Sequence, residues 1–220
     1  MDIKLQKQLT TMSIAAGLTV GIMYPAWTFL PLPAVLHTGL WIFFGPLTLI
    51  AFIGLYPFVA KPRLTIYALM GTIFGVIGGI SQTMFQVIQL ENIIYIRKYI
   101  RAESDPAVQE TWRHILNGVF TVQNGMNYIA DLFYDLTIVM FAILMWTHPK
   151  FGKFFTITGL AAAGYHFASK LYTFPVPPHE AGLFEGGYFI SIWFFLMVIQ
   201  VWRKFSWLSE DAVAAVAAKM

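Results

Sequence analysis

The sequence predicts an all-α protein, a polytopic membrane helical bundle with six transmembrane helices. Three features of its composition support this class. Of the 220 residues, 58% are hydrophobic and only 11% are charged, whereas a soluble domain averages about 25% charged residues. So few charges cannot build a surface that faces water. Aromatic residues make up 17% of the chain, which suits lipid contact and the aromatic belts of membrane interfaces.

The composition also excludes several classes of function. The chain has no cysteine, which excludes thiol nucleophiles, disulfides, iron–sulfur clusters and cysteine-ligated zinc. The net charge of +3 is small and its basic residues are dispersed, so we expect no nucleic-acid partner. The N-terminus has a basic start and an apolar run without a clear cleavage pattern. It is therefore interpreted as a retained first helix, with cleavage as the alternative.

Six segments approach the roughly 20 mostly apolar residues that a membrane span needs. Proline-containing breaks separate several of them, among them PLP at 31–33 and FPVPP at 174–178. The segments are, in order, 11–30, 34–59, 64 to beyond 82, one that ends at 146, 154–172 and 183–202. We expect one transmembrane domain over residues 1–207, followed at 208–220 by a short cytoplasmic helix or a frayed tail.

The basic residues indicate how the chain crosses the membrane, because cytoplasmic loops are enriched in lysine and arginine. They predict that both termini are cytoplasmic. The predicted inner residues are Lys4, Lys7, Lys61, Arg63, Lys150, Lys153, Arg203, Lys204 and Lys219. The predicted outer residues are Arg97, Lys98, Arg101, Arg113 and Lys170.

Segments three and four are longer than a bilayer requires. Helical patterning continues over 64–100 and 106–147, and each run would be about 55–60 Å long against a hydrocarbon core of about 30 Å. Asp105 suits a helix cap and Pro106 a first helical turn. We therefore expect a long hairpin of helices 3 and 4 that projects on the outer side, where a partner protein could bind. The alternative is a bend near Gln82, with the remainder on the membrane surface.

Polar residues follow one face of each arm of this hairpin. On segment four they recur in steps of three and four, which places them on one helical face; they are Asn117, Thr121, Asn124, Tyr128, Asp131 and Asp135. Gln82, Gln86 and Gln89 do the same on segment three. We expect these two polar stripes to face each other, since polar groups join membrane helices by hydrogen bonds.

The two aspartates decide how this face is interpreted. A charge near the bilayer midplane costs at least about 2.5–3.5 kcal/mol, which exceeds the roughly 0.6–2 kcal/mol of one interhelical hydrogen bond. Asp135 must therefore be protonated, paired or facing water, and His166 and Lys170 are the available cations. Two interpretations remain. The residues form either a polar seam that only fixes the hairpin register, or a site for a ligand, ion or proton. The candidate site residues are Asp131, Asp135, Asn124, Tyr128, Gln82, Gln86, His166 and Lys170.

His37 and His166 lie at similar depth on segments two and five. Two imidazoles on facing helices are one way to hold haem b, so a haem site at His37 and His166 is an alternative. The other interpretation is that each histidine bonds a carbonyl or Asp131. No histidine spacing indicates zinc, and we predict no metal site.

Glycines spaced by four mark segments one and three, at Gly17 and Gly21 and at Gly71, Gly75 and Gly79. Such faces allow close helix approach, which we expect inside the bundle, with a homodimer as the alternative. The loop at 174–187 carries His179, Glu180 and Glu185. It is either a tight connection or a lid over an outward cavity.

The C-terminal half resembles a family of six-helix bacterial integral membrane proteins whose domain has no assigned function. The residues that carry the resemblance are QNGMNYIADLFYDL, HPKFGKFFTITGLAAAGY and FPVPPHEAGLFEGGYFISIW. The resemblance covers about half of the chain and rests on layout. It implies an all-helical membrane fold, a location in a bacterial inner membrane and no particular activity.

Three functions compete. The first is a non-enzymatic membrane protein, either an accessory subunit of a complex or a binder of a lipid-like or small ligand in an outward-opening polar seam. The second is a small proton-coupled transporter that uses Asp131 and Asp135, since carboxylates inside membranes often serve transport. The third is a haem-bearing redox subunit. The absence of an assembled catalytic set favours the first.

Overall fold

The computed structural model describes residues 2–61 and 66–209, and every regular element in this part of the chain is helical. Three helices form the first half, α1 (Ile3–Phe29), α2 (Ala34–Val59) and α3 (Ile66–Glu91). A π-helical turn (Asn92–Ile96) joins α3 to α4 (Arg97–Ala102). The second half contains α5 (Pro106–Met145), α6 (Lys153–Thr173), α7 (Gly187–Arg203) and a 3₁₀ turn (Phe205–Ser209).

Local chemistry explains where several helices begin and end. The helix α2 starts directly after Pro33, at the position expected from the PLP break. The carboxylate of Asp105 accepts a hydrogen bond from the backbone N–H of Ala107 at 2.8 Å, and Pro106 occupies the first turn of α5. The predicted cap of this helix is therefore confirmed. Gly152, at φ +89°, precedes α6 in a conformation that favours glycine.

Helices α3 and α4 form one helical run of 37 residues that lies antiparallel to α5. The helix continues past Gln82 to Glu91 without a break, so the chain does not leave the helix at the position where a bend was considered. Farther along, Asn92 Nδ2 donates to Gln123 Oε1 at 3.3 Å, and Gln109 Nε2 donates to the Ile100 carbonyl at 2.9 Å. Among the described side chains, none is buried in α4 or in α5 before Gln123. This end of the pair thus extends beyond the packed core.

Glycines bring the helices of the bundle into close contact. A Cβ at Gly54 of α2 would lie 2.2 Å from the Leu9 carbonyl oxygen of α1. On α3, Gly71 packs on Phe141 and Gly75 packs on Phe52. Gly17 and Gly21 pack against α7 in the same way. The glycine faces are therefore used inside the chain, as the sequence predicts.

Aromatic rings close one end of the bundle, where α2, α5 and α7 end and α1 begins. This closed-end cluster consists of Phe58, His148, Phe151 and Trp207, whose ring centroids lie 4.9–6.0 Å apart in the contacting pairs. The Lys61 ammonium donates to the Trp207 carbonyl. Burial lowers the pKa of His148 to about 4, so its imidazole is neutral at pH 7 and packs as an uncharged ring.

Four helical runs are long and apolar enough to cross a membrane in the described part of the chain, namely α1, α2, α3 with α4, and α5. The helix α7 is apolar but has 17 residues, and α6 does not belong to this apolar set. Both occur close to where the fifth and sixth segments were predicted. The expected start of segment three at 64, two of the predicted inner basic residues (Arg63 and Lys219) and the tail from 210 onward lie outside the described residues.

The contact between α1 and α2 yields a prediction about stability. Gly54→Ala places a methyl group against the backbone of α1, which cannot yield as a flexible side chain can, so we expect a clearly lower melting temperature. Gly39→Ala is the matched control in the same helix, because nothing lies within 4 Å of the added Cβ. Alanine should raise helix stability there by up to about 1 kcal/mol. Thermal unfolding in detergent compares the two, and equal stability of both variants would contradict the described α1–α2 packing.

Candidate functional site

A cavity of about 940 Å³ lies among the helices at the end opposite the closed-end cluster. Six helices contribute to its wall, together with the loop that joins α6 to α7. Its polar side chains include Thr48, Gln82, Gln86, Gln89, Gln123, Asn124, Asn127, Asp131, His166, Lys170, His179, Glu180, Glu185 and Ser191. This concentration of polar groups inside an otherwise apolar bundle makes the cavity the candidate functional site.

Two contacts between an acidic and a basic side chain join α5 to α6 at the base of the cavity. A hydrogen bond of 2.9 Å links Asp135 Oδ1 to His166 Nδ1, and the Lys170 ammonium donates to the Asp131 carboxylate. Both acids lie one helical turn apart on α5, and both cations lie one turn apart on α6. Because the two helices run antiparallel, each acid meets one cation. Asp135 and His166 are only 4% and 2% exposed.

A second carboxylate approaches His166 from the loop before α7. The Nε2 atom of His166 lies 3.8 Å from Glu185 Oε1, and His179 Nδ1 lies 3.5 Å from Glu185 Oε2. The neighbouring Gly186 permits this arrangement, since an added Cβ would lie 2.8 Å from the Cα atom of His166. The imidazole is therefore held between Asp135 and Glu185.

The two predicted polar stripes meet only in part. Gln82, Gln86, Gln89, Asn124 and Asp131 line the common cavity. Members nearer the hairpin tip do not, and the Thr121 hydroxyl only donates back to the Asn117 carbonyl of its own helix.

Tyr128 does not line the cavity. It contacts the part of the α6–α7 loop that follows α6. Its hydroxyl donates to the Val176 carbonyl at 3.0 Å, and its ring centroid lies 5.2 Å from the Lys170 nitrogen. The side-chain bond between the hairpin arms, Asn92 to Gln123, uses residues outside both stripes.

An aromatic wall faces the amide groups across the cavity. Tyr24 of α1 lies at its centre, with ring centroids at 5.5 Å from Trp27, 6.1 Å from Phe44 and 5.6 Å from Tyr188. Trp41 lies 5.6 Å from Trp27. Sequence reasoning missed this wall, because its members come from three helices and each fits ordinary lipid-facing or core positions. It also missed Gln123 and Asn127 of α5, which lie off the predicted stripe.

The geometry speaks against the haem alternative. His37 does not line the cavity, and its ring lies 5.7 Å from that of Trp41. Both ring nitrogens of His166 face carboxylates instead. Within residues 2–61 and 66–209, no group of three or more acidic or histidine side chains is arranged to hold a metal ion.

The fold and the site together define a class, a helical bundle with four membrane-compatible helical runs and a polar cavity at one end. Comparison with protein-family models, curated proteins and solved structures finds no match to this chain. The resemblance of the C-terminal half to six-helix bacterial membrane proteins therefore stays a prediction.

The pair of Asp131 and Lys170 yields a prediction about stability. Lys170→Met leaves the aspartate without its cation in a largely buried place, which should cost about 3 kcal/mol of unfolding free energy. Asp131→Asn in the same chain removes the stranded charge, so the double variant should recover much of that loss. Unfolding of both single variants and the double variant in micelles forms a double-mutant cycle. Strictly additive effects would show that the two groups are not coupled.

Proposed function

We propose that the chain is a non-enzymatic, polytopic membrane protein that binds a small or lipid-like ligand in this cavity. The observation that carries the proposal is a cavity of about 940 Å³ that combines paired buried charges, amide groups and an aromatic wall. Ligand sites in proteins commonly measure about 300–1,000 Å³ and place a few polar groups within mostly apolar walls. The charged groups at its base are engaged with each other, which favours binding over catalysis.

The proposed topology has both termini in the cytoplasm of a bacterial inner membrane and the cavity facing outward. The distribution of charge supports it. The closed-end cluster has basic residues beside it, among them Lys61 and Lys150 over the Trp207 ring, which suits the cytoplasmic side. At the opposite end, the exposed side chains of His179 and Glu180 border the cavity. The hairpin tip lies at that same end, where its exposed surface offers a place for a partner protein in a larger complex.

Six spans are proposed although α6 is less apolar than the other helices. Its polar residues His166, Ser169 and Lys170 are buried against the bundle. Its outward face carries exposed apolar side chains, namely Phe154, Ile157, Leu160, Phe167 and Leu171. Lipid would therefore meet an apolar surface, although the hydropathy of α6 averaged over all its residues is low. The 17 residues of α7 reach the lower limit of spanning length, roughly 17–25 residues.

Membrane lipids are the proposed surroundings, and a homodimer stays an untested alternative. The glycine faces give it no support, because the chain's own helices cover them.

Filling the cavity tests the binding function. Ser191 of α7 lines the cavity, whereas the adjacent Ile192 is exposed on the outer face of the helix. Ser191→Trp should remove the lipid-like or small molecules that copurify with the protein from native membranes, and Ile192→Trp should leave them in place. Mass spectrometry of extracts from both variants measures this. Identical extracts from wild type and Ser191→Trp would contradict a ligand in the cavity.

A proton-coupled transporter is the second candidate, supported by the position of His166 between two carboxylates. An imidazole can accept a proton on one ring nitrogen and release a proton from the other. Asp135, His166 and Glu185 could therefore relay protons from the interior of the bundle toward the mouth of the cavity. Asp135→Asn should abolish proton flux into liposomes followed with a pH-sensitive dye. Glu110→Gln, which changes an exposed carboxylate on the hairpin, is the control. Flux that persists in Asp135→Asn would exclude this relay.

A further inference from the structure

Buried polar atoms without a hydrogen-bond partner are concentrated in the cavity. Across the described residues, five side chains carry such an atom, and three of these line the cavity: Trp41 with Nε1, Gln86 with Oε1 and Tyr134 with its hydroxyl. The side chain of Gln86 is 1% exposed. Each such atom costs about 1–3 kcal/mol, and native proteins leave few of them. These atoms are closed off from solvent, so each side chain must turn toward the cavity before a bound molecule can complete its hydrogen bond.

The three groups need different hydrogen-bond partners. The indole of Trp41 only donates, whereas the Tyr134 hydroxyl donates or accepts. The Gln86 amide presents an acceptor in this orientation and donors when its plane is turned by half a rotation. Thr48 lies close to Tyr134 and donates its own proton to the Phe44 carbonyl at 2.8 Å, so its oxygen can accept only from the Tyr134 hydroxyl and leaves that oxygen's lone pairs unused. Hydroxyl groups of a ligand suit all three kinds of group, because a hydroxyl both donates and accepts.

The charges at the base of the cavity disfavour ionic ligands. An anion that approaches Lys170 must compete with the bonded carboxylate of Asp131. A cation that approaches Asp135 must compete with His166, which holds it at 2.9 Å. Breaking either pair leaves a buried charge without its partner, which is strongly destabilising. An uncharged ligand leaves both pairs intact.

The remaining wall suits an apolar group. Tyr24, Trp27, Phe44 and Tyr188 form a nearly continuous aromatic surface opposite the amides. We infer that the cavity binds an uncharged amphipath whose headgroup carries several hydroxyl groups, such as a sugar or polyol headgroup on an apolar chain. This inference rests on the proposed binding function and specifies its ligand class.

A matched set of probes tests the ligand class. Octyl glucoside, octanoate and octylamine share one chain length and differ in headgroup charge. The protein is held in polymer-bounded nanodiscs, since sugar detergents would themselves enter the cavity. Saturation-transfer NMR titrations, corrected with empty nanodiscs for partition into lipid, give the affinities below micellar concentrations. We expect saturable binding of octyl glucoside that Ser191→Trp abolishes, and no binding of comparable strength by the two charged probes.

Two variants test the individual groups. Gln86→Leu and Trp41→Phe each remove one hydrogen-bonding group, so each should weaken octyl glucoside binding about threefold to tenfold. Gln86→Leu also removes an unpartnered buried acceptor, so the ligand-free protein should be as stable as wild type or more so. Gln8→Leu, at an exposed position of α1, should leave affinity unchanged.

The outcomes separate the two levels of the proposal. If octanoate or octylamine binds as tightly as octyl glucoside and Ser191→Trp abolishes that binding, the inferred headgroup is wrong and the binding cavity stands. If Gln86→Leu and Trp41→Phe both bind octyl glucoside as wild type does, the unpartnered groups do not select the ligand, and the inference fails. If none of the three probes binds saturably, the inferred ligand class is wrong. If, in addition, the native extracts of wild type and Ser191→Trp are identical, the proposed binding function is wrong as well.

Discussion

The poor solvation of charge in hydrocarbon is the constraint on which this structure depends. Two aspartates on α5 cannot face lipid at acceptable energy, and the chain supplies two cations with the same one-turn spacing on α6. Asp135 therefore bonds His166, and Asp131 bonds Lys170. These two contacts fix the register of α5 against α6, because a shift of one residue would separate both pairs. The position of the cavity above them follows from that register.

The bundle has a tightly packed end and an open end, and different residues build each. At the packed end, the residues Leu55, Phe58, Val59 and Met145 are fully buried, and Gly54 allows α1 to approach α2 closely. Dispersion contacts and burial of apolar surface supply stability there. At the other end, amides and ion pairs hold the helices around a cavity that a close-packed core would have filled. The packed end thus stabilises a bundle whose open end contains polar groups without hydrogen-bond partners.

Local signals were readable from the sequence, and contacts between distant segments were not. The bounds of α2 and the Asp105 cap follow from proline positions and capping chemistry, and both appear as expected. His166 and Lys170 could be named as cations for the aspartates because they are the basic residues on the outer half of the fifth segment. Which acid each one meets could not be named, since His166 bonds Asp135 and not Asp131. The approach of Glu185 to His166 depends on how the loop folds over α6, which no periodicity encodes. The aromatic wall likewise exists only once α1, α2 and α7 are assembled.

The closed end of the bundle bears on the choice between binding and transport. A transporter must expose its site alternately to both sides of the membrane, and the closed-end cluster of Phe58, His148, Phe151 and Trp207 blocks that path in this conformation. Opening it would separate several ring contacts and displace the Trp207 carbonyl from Lys61. Binding requires no such rearrangement, since the open end already provides a cavity. The structure in this state therefore favours a protein that holds its ligand over one that carries it across.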